Sequence, residues 1–290
     1  MNPYPLLARR LFNTPIALHR GRAQALVAAM AEAARAPTME ADAGMLAAGA
    51  FGPGVTDRRP WPGYDMVADT GIALIRVDGV LLHRLGWMGS FWGLTGYDGL
   101  RQAFLGAVAD DQVRAIMLDV DSPGGEVAGC FDLVDAMFDA RGEKPVWAVL
   151  NECAYSAAYA LASAADRIVV PRTGGTGSIG VIAMHVDVSK GLADFGVKVT
   201  FITSEGADRK TDGHSEIPLS DEAYRAFKTE IDEAGRLFDE TVARNRGLTS
   251  RAVNDLKAAT FQGGNGLRVG LADAVMAPDA AYRALLAELG

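Results

Sequence analysis

Arg114-Ala115-Ile116-Met117-Leu118-Asp119-Val120 has the composition of a buried strand, and it runs straight into Asp121-Ser122-Pro123-Gly124-Gly125-Glu126-Val127. The glycine pair then opens a helical pattern of Val127, Phe131, Leu133, Val134 and Met137. Strand, Pro-Gly-Gly, helix is a junction that brings bare backbone N–H groups close to a ligand with no Cβ in the way. A glycine turn alone is most often only a turn. A phosphate loop does not fit, because no Lys-Ser or Lys-Thr follows the glycines at the required spacing. Strand and helix patterns alternate in this way from residue 70 to 205, which sets the fold class as α/β.

A second junction carries a hydroxyl. The apolar run Val146–Leu150 gives way through Asn151-Glu152-Cys153-Ala154-Tyr155 to Ser156 and then to small helix formers, Ala157 to Ala165. A serine there stands at a helix N-terminus, beside the N–H of Ala157 and in front of the positive end of the helix dipole. That setting suits a nucleophile, which must be presented where donors wait for the oxyanion. The plainer reading is a serine that caps a core helix.

Two further segments follow strand-like runs. Gly174-Gly175-Thr176-Gly177-Ser178-Ile179-Gly180-Val181-Ile182 comes after Arg167–Pro171. Ser204-Glu205-Gly206-Ala207-Asp208-Arg209-Lys210-Thr211-Asp212-Gly213 comes after Val197–Thr203. A lysine in such a polar loop is ordinarily a solvated charge.

Asp-Ser-Pro-Gly-Gly, Tyr-Ser-Ala-Ala, Thr-Gly-Ser-Ile-Gly-Val and Lys-Thr-Asp-Gly, in this order, resemble the signal peptide peptidase A family. Thr260–Gly263 and Gly270–Asp273 resemble its C-terminal signature. The head of the chain, Leu11-Phe12-Asn13-Thr14-Pro15-Ile16-Ala17-Leu18-His19, resembles the phage branch, the capsid assembly or head maturation proteases. The resemblance implies a crotonase- and caseinolytic-protease-like spiral ββα fold and a serine endopeptidase with a serine–lysine dyad. Ser156 is then the nucleophile, Lys210 the general base and Ser178 the serine that hydrogen-bonds the lysine. Gly125 and Ala157 become the N–H donors of the oxyanion hole. Implied substrates are scaffold, portal or capsid polypeptides, cut in the bacterial cytoplasm inside an assembling shell by a ring-like homo-oligomer.

The chemistry of the dyad sets a condition. An exposed lysine has a reference pKa near ~10.4 and is protonated at neutral pH. Desolvation lowers this by roughly 3–5 units when burial is complete. Lys210 therefore needs a covering surface, from the substrate or from a neighbouring subunit. Lys210 also stands one position farther from Gly206 than the family spacing, where Arg209 falls; Asp212-Gly213 downstream selects Lys210. Arginine stays protonated and cannot act as a base.

Other readings stay open at this level. His185 with Asp187 or Asp212 is a rival triad, although Met184–Val188 alternates like a half-buried strand. His214 beside Lys210 is read as incidental. An acyl-CoA enzyme of the crotonase type would share the glycine turn and want a carboxylate, for which Glu152 is the near candidate. A non-catalytic assembly protein would keep the fold and lose the base.

With 290 residues and 49% hydrophobic side chains, the chain can bury one large α/β core. A net charge of −8 without a basic cluster speaks against nucleic acid. Cys130 and Cys153 are read as reduced core thiols. No Cys/His spacing suggests zinc, and the implied mechanism needs no cofactor. Apolar stretches are broken by charges well short of a membrane span. The expected organisation is a helical lead-in over 1–35, with an amphipathic helix at 20–35, and a Pro/Gly/Ala-rich linker over 36–69. The peptidase domain follows over 70–276, and a C-terminal helix over 277–290. Gly86–Leu94, rich in tryptophan and glycine, reads as an apolar flap, an oligomer contact or simple core packing. A long helix starts at Ser220, carries Phe227, Ile231, Ala234, Phe238 and Val242 on one stripe, and stops at Gly247.

Overall fold

The computed structural model describes residues 16–18, 63–67, 69–85 and 93–290. Its strands are β1 (Ile16–Leu18), β2 (Asp65–Val67), β3 (Ile72–Leu82), β4 (Leu94–Gly96), β5 (Ala115–Glu126), β6 (Val146–Ala154), β7 (Arg167–Val170), β8 (Gly175–Gly177), β9 (Thr260–Gln262) and β10 (Ala274–Val275). The helices are α1 (Tyr97–Ala109), α2 (Cys130–Asp139), α3 (Ala157–Ser163), α4 (Ser189–Asp194), α5 (Asp221–Arg246), α6 (Ser250–Asn254), α7 (Gly264–Arg268) and α8 (Pro278–Leu289).

The sheet runs β10-β7-β6-β5-β3-β2. Its central pairings β3–β5, β5–β6, β6–β7 and β7–β10 are all parallel. Such strands are covered on both faces, which explains their nearly continuous apolar runs. The period of two divides them cleanly. Val146, Ala148 and Leu150 face a layer that includes Leu133, Val134 and Leu161. Trp147 and Val149 face Ala281 and Leu285 of α8 on the other side. The sheet therefore lies between α1, α2 and α3 on one face and α8 on the other.

α3 is short and all seven of its residues are buried. Alanines let it approach the sheet closely, and its last turn is held from outside. The Arg141 guanidinium donates to the carbonyls of Ser163, Ala164 and Ala165 and to that of Asn245 in α5. Asn245 Nδ2 in turn donates to Ser163 Oγ at 2.9 Å. Phe238 of α5 packs edge-on against Phe131 of α2, with ring centroids 5.5 Å apart. α5 begins as the sequence predicts, with Ser220 Oγ accepting from the Ala223 N–H, and ends at Gly247 with φ 66°.

Several expectations change. Ile16–Leu18, inside the expected helical lead-in, is a strand paired with β5. β6 leaves β5 after Ser122, so that the edge of Gly124–Glu126 is open to it. β2 shows that the sheet begins within the span read as linker, anchored by Tyr64, whose hydroxyl donates to Asp110 Oδ2 at 2.7 Å. Val197–Thr203 and Met184–Val188 have strand-like alternation yet form no strand among the described residues; the Val188 N–H instead donates to the Ser215 carbonyl of a following loop at 2.8 Å. The rest of 1–35, residues 36–62 of the linker and residues 86–92 lie outside the described residues. Among the described residues no helix is long and apolar enough to cross a membrane.

Candidate active site

The glycine turn is held by its own serine. Ser122 Oγ donates to the Gly79 carbonyl at 2.6 Å and accepts the Gly124 N–H at 3.1 Å. Gly125 lies against β3 so tightly that a Cβ there would stand 1.8 Å from the Leu81 carbonyl oxygen. Only glycine fits, which is the physical reason for the second glycine of the motif.

β6 runs beside this turn as far as Ala154, opposite Ser122. The Tyr155 N–H then donates to the Ser122 carbonyl at 3.1 Å, and the Ser156 N–H to the Gly177 carbonyl at 2.9 Å. Clamped between β5 and β8, Ser156 takes φ 56° and ψ −124°, a region that side-chain-bearing residues seldom occupy. The residue is 1% exposed. It is the N-cap residue of α3, but its side chain makes no capping hydrogen bond, and the buried Oγ has no partner among the described residues. A serine kept for capping would spend its oxygen on the helix. Ala157 follows as the first helical residue, where the N–H lacks an intrahelical acceptor.

Ser178 adjoins this point, one residue beyond the carbonyl that receives the Ser156 N–H. Half-buried with φ 56°, it donates its own N–H to Ala259 at 2.9 Å. β9 backs the segment by pairing with β8, and a Cβ on Gly177 would meet the Ala259 carbonyl oxygen at 2.5 Å. Ser156, Ser178, Ala157 and the Gly124–Gly125 turn are thus gathered into one place by three strands.

Lys210 is not part of that gathering. It lies exposed on a 3₁₀ turn, Asp208–Thr211, and Ser156 Oγ has no hydrogen-bond partner among the described residues. Its neighbour Arg209 donates Nε to Asp212 Oδ2 at 3.0 Å, so the residue at the family spacing is engaged with a carboxylate.

The rival groups have other occupations. His185 Nε2 lies 3.3 Å from the His214 carbonyl oxygen. Asp187 Oδ1 accepts the Ser189 N–H, and hydrogen bonds from Ser189 hold its carboxyl below the usual range. His214 stacks obliquely on Phe201. Glu152 Oε2 accepts from Thr173 Oγ1 at 2.8 Å. Burial pushes the Cys130 thiol up to about 12, which leaves it a packing group; Cys153 is half-buried beside Asp121. Sequence reasoning did not single out Ser122 as the turn's own brace, although it stands inside the quoted motif.

This combination of a parallel α/β sheet, a glycine turn and a strained serine at a helix start coincides with a family match. The model of peptidase family S49 matches residues 139–289, and the chain belongs to that family. Among its relatives, the head-tail preconnector protein GP5 of Enterobacteria phage P21 is 46% identical over 74% of this chain and 42% of its own length. The capsid assembly protease C of Escherichia phage lambda is 38% identical over 70% of this chain and 46% of its own length. The chloroplastic serine protease SPPA of Arabidopsis thaliana is 30% identical over 56% of this chain and 24% of its own length. The chain spans less than half the length of these phage relatives.

Proposed function

We propose that this chain is a serine endopeptidase on a spiral ββα fold, with Ser156 as nucleophile and Lys210 as general base. The observation that carries this reading is Ser156 itself, whose buried, unpartnered hydroxyl sits on strained backbone at the start of α3. An extended polypeptide adds as a strand along the glycine-turn edge of β5, so that main-chain hydrogen bonds align it. Ser156 Oγ attacks the carbonyl carbon while neutral Lys210 takes the proton. The Gly125 and Ala157 N–H groups hold the oxyanion; losing one such donor typically costs ~3 kcal/mol of transition-state stabilisation. Lys210, oriented by Ser178, then protonates the leaving amine and activates water to release the acyl group.

Since Lys210 is exposed in the single chain, the dyad forms only when another surface covers the loop. The 182–202 stretch supplies a reason to expect a second copy there. Its apolar side chains point outward, with Phe195 89% and Ile202 94% exposed, and its strand-patterned segments form no strand among the described residues. A ring-like homo-oligomer would cover them. The substrates would be scaffold, portal or capsid polypeptides, cut during head maturation in the host cytoplasm. The names of the phage relatives, a head-tail preconnector protein and a capsid assembly protease, support phage head proteins as the substrate class.

The test is cleavage of an unstructured polypeptide, such as reduced casein, and of co-expressed phage head proteins. Wild type should cut both, and Ser156→Ala should lower the rate by at least ~1000-fold. Equal cleavage by the two proteins would reject the nucleophile.

A further inference from the structure

β1 runs antiparallel to β5, with Ile16 opposite Glu126, Ala17 opposite Gly125 and Leu18 opposite Gly124. The same glycines pair on their other side with Val80 and Leu81 of β3. A strand has two hydrogen-bonding edges, so β1 takes the edge that faces β6. β6 holds that edge only up to Ala154, opposite Ser122, and then turns through Tyr155 into Ser156. Ile16–Leu18 therefore continues the ladder where the strand bearing the serine leaves it. This is the edge along which a peptide would have to lie for Gly125 and Ala157 to receive its carbonyl oxygen.

We propose that Ile16–Leu18 is a built-in ligand of the substrate cleft, a strand of the chain's own backbone that competes with polypeptide substrates. Naming the cleft as a substrate site rests on the peptidase reading above; its occupancy by β1 does not. Three features fit the role. The pairing is through the main chain, the mode by which sheet edges take extended peptides of varied sequence. The occupant is covalently tethered, so it acts at an effective concentration that a short ladder needs in order to bind at all. The ladder is only three residues long, so a longer substrate strand with more hydrogen bonds can displace it. The pairing also gives a use to Ile16–Leu18, which the proposed chemistry otherwise leaves idle.

Occupancy has a measurable consequence. If β1 fills the cleft in about nine molecules of ten, a free peptide binds about tenfold more weakly than to an open cleft. The probe is a fluorescein-labelled peptide of residues 13–21, followed by anisotropy with the full chain carrying Ser156→Ala to prevent turnover. In the same background, Ile16→Pro, Ala17→Pro and Leu18→Pro together remove every N–H that β1 can donate. The proline variant should bind the probe about tenfold more tightly. Equal affinities, or no binding by the proline variant, overturn the proposal. A second measurement needs no substitution in β1. Hydrogen exchange in the Ser156→Ala chain should show protected amides at 16–18 that lose protection when excess unlabelled peptide is added. Unchanged protection overturns the proposal as well. Casein cleavage by the wild-type chain is read separately: if it fails while probe binding follows the expected pattern, the peptidase reading falls and the occupancy of the cleft stands.

Discussion

Ser156 bears two costs at one residue. Its φ of 56° with ψ −124° is a conformation worth roughly 1–3 kcal/mol of strain in a non-glycine residue. Its buried oxygen also lacks a partner, a further penalty of about 1–3 kcal/mol. Ser156→Gly removes both and should raise Tm by about 3 °C for each kcal/mol recovered in a chain of this size, while abolishing cleavage. Thermal melts check this, and a lower Tm would mean that the serine is structurally needed. Ser178→Ala should leave the melt unchanged and slow turnover about tenfold, the worth of one hydrogen bond to the base. The serine's position was legible, because an apolar run meeting a run of alanines marks a strand-to-helix junction. Its strain was not, since bonds to Ser122 and Gly177 impose it, and residues that far apart in the chain are brought together only by the sheet.

The elements around α3 act as its frame. Gly270-Leu271-Ala272-Asp273, noticed first as a signature, closes that frame. The Leu271 carbonyl accepts from the Tyr159 hydroxyl at 3.0 Å, and Asp273 takes both the Ile168 N–H and a two-pronged bond from Arg246. Burial pushes the Asp273 carboxyl up, but the Arg246 hydrogen bond and the Ile168 N–H outweigh it and hold the group below the usual carboxylate range. A carboxyl with a depressed folded-state pKa adds stability above its unfolded value of ~3.9, and that stability fades as pH falls through the folded value. Asp273→Asn should therefore destabilise by about 3 kcal/mol at pH 7, since Arg246 is left buried and unpaired. The gap between the variant and wild type should narrow below about pH 4, which melts at several pH values would show. A gap independent of pH would assign the effect to shape alone. β5, β6 and β7 were readable in the sequence because strands buried on both faces need largely apolar side chains. Val197–Thr203 carries the same chemistry but pairs with no strand among the described residues, and a ladder cannot form from one side.

Across the whole molecule, Ser156 and the proposed base Lys210 belong to different regions. The serine is locked in the sheet, whereas Lys210 is exposed and the apolar 182–202 stretch faces outward, its start beside the first half of α5, where Tyr224 is 58% exposed. If neighbouring copies cover this surface, Ile202→Asp should shift the protein to smaller species in light scattering and lower activity in parallel. Complementation offers a sharper outcome: mixing Ser156→Ala with Lys210→Ala should restore part of the wild-type rate when one subunit's lysine serves another's serine. A mixture as inactive as its components would place the covering surface elsewhere, on the substrate.

The most direct measurement compares casein cleavage by wild type, Ser156→Ala, Lys210→Ala and His185→Ala under identical conditions. The serine–lysine account predicts loss with the first two substitutions and near wild-type rates with the third. Cleavage that survives Lys210→Ala but disappears with His185→Ala would contradict it.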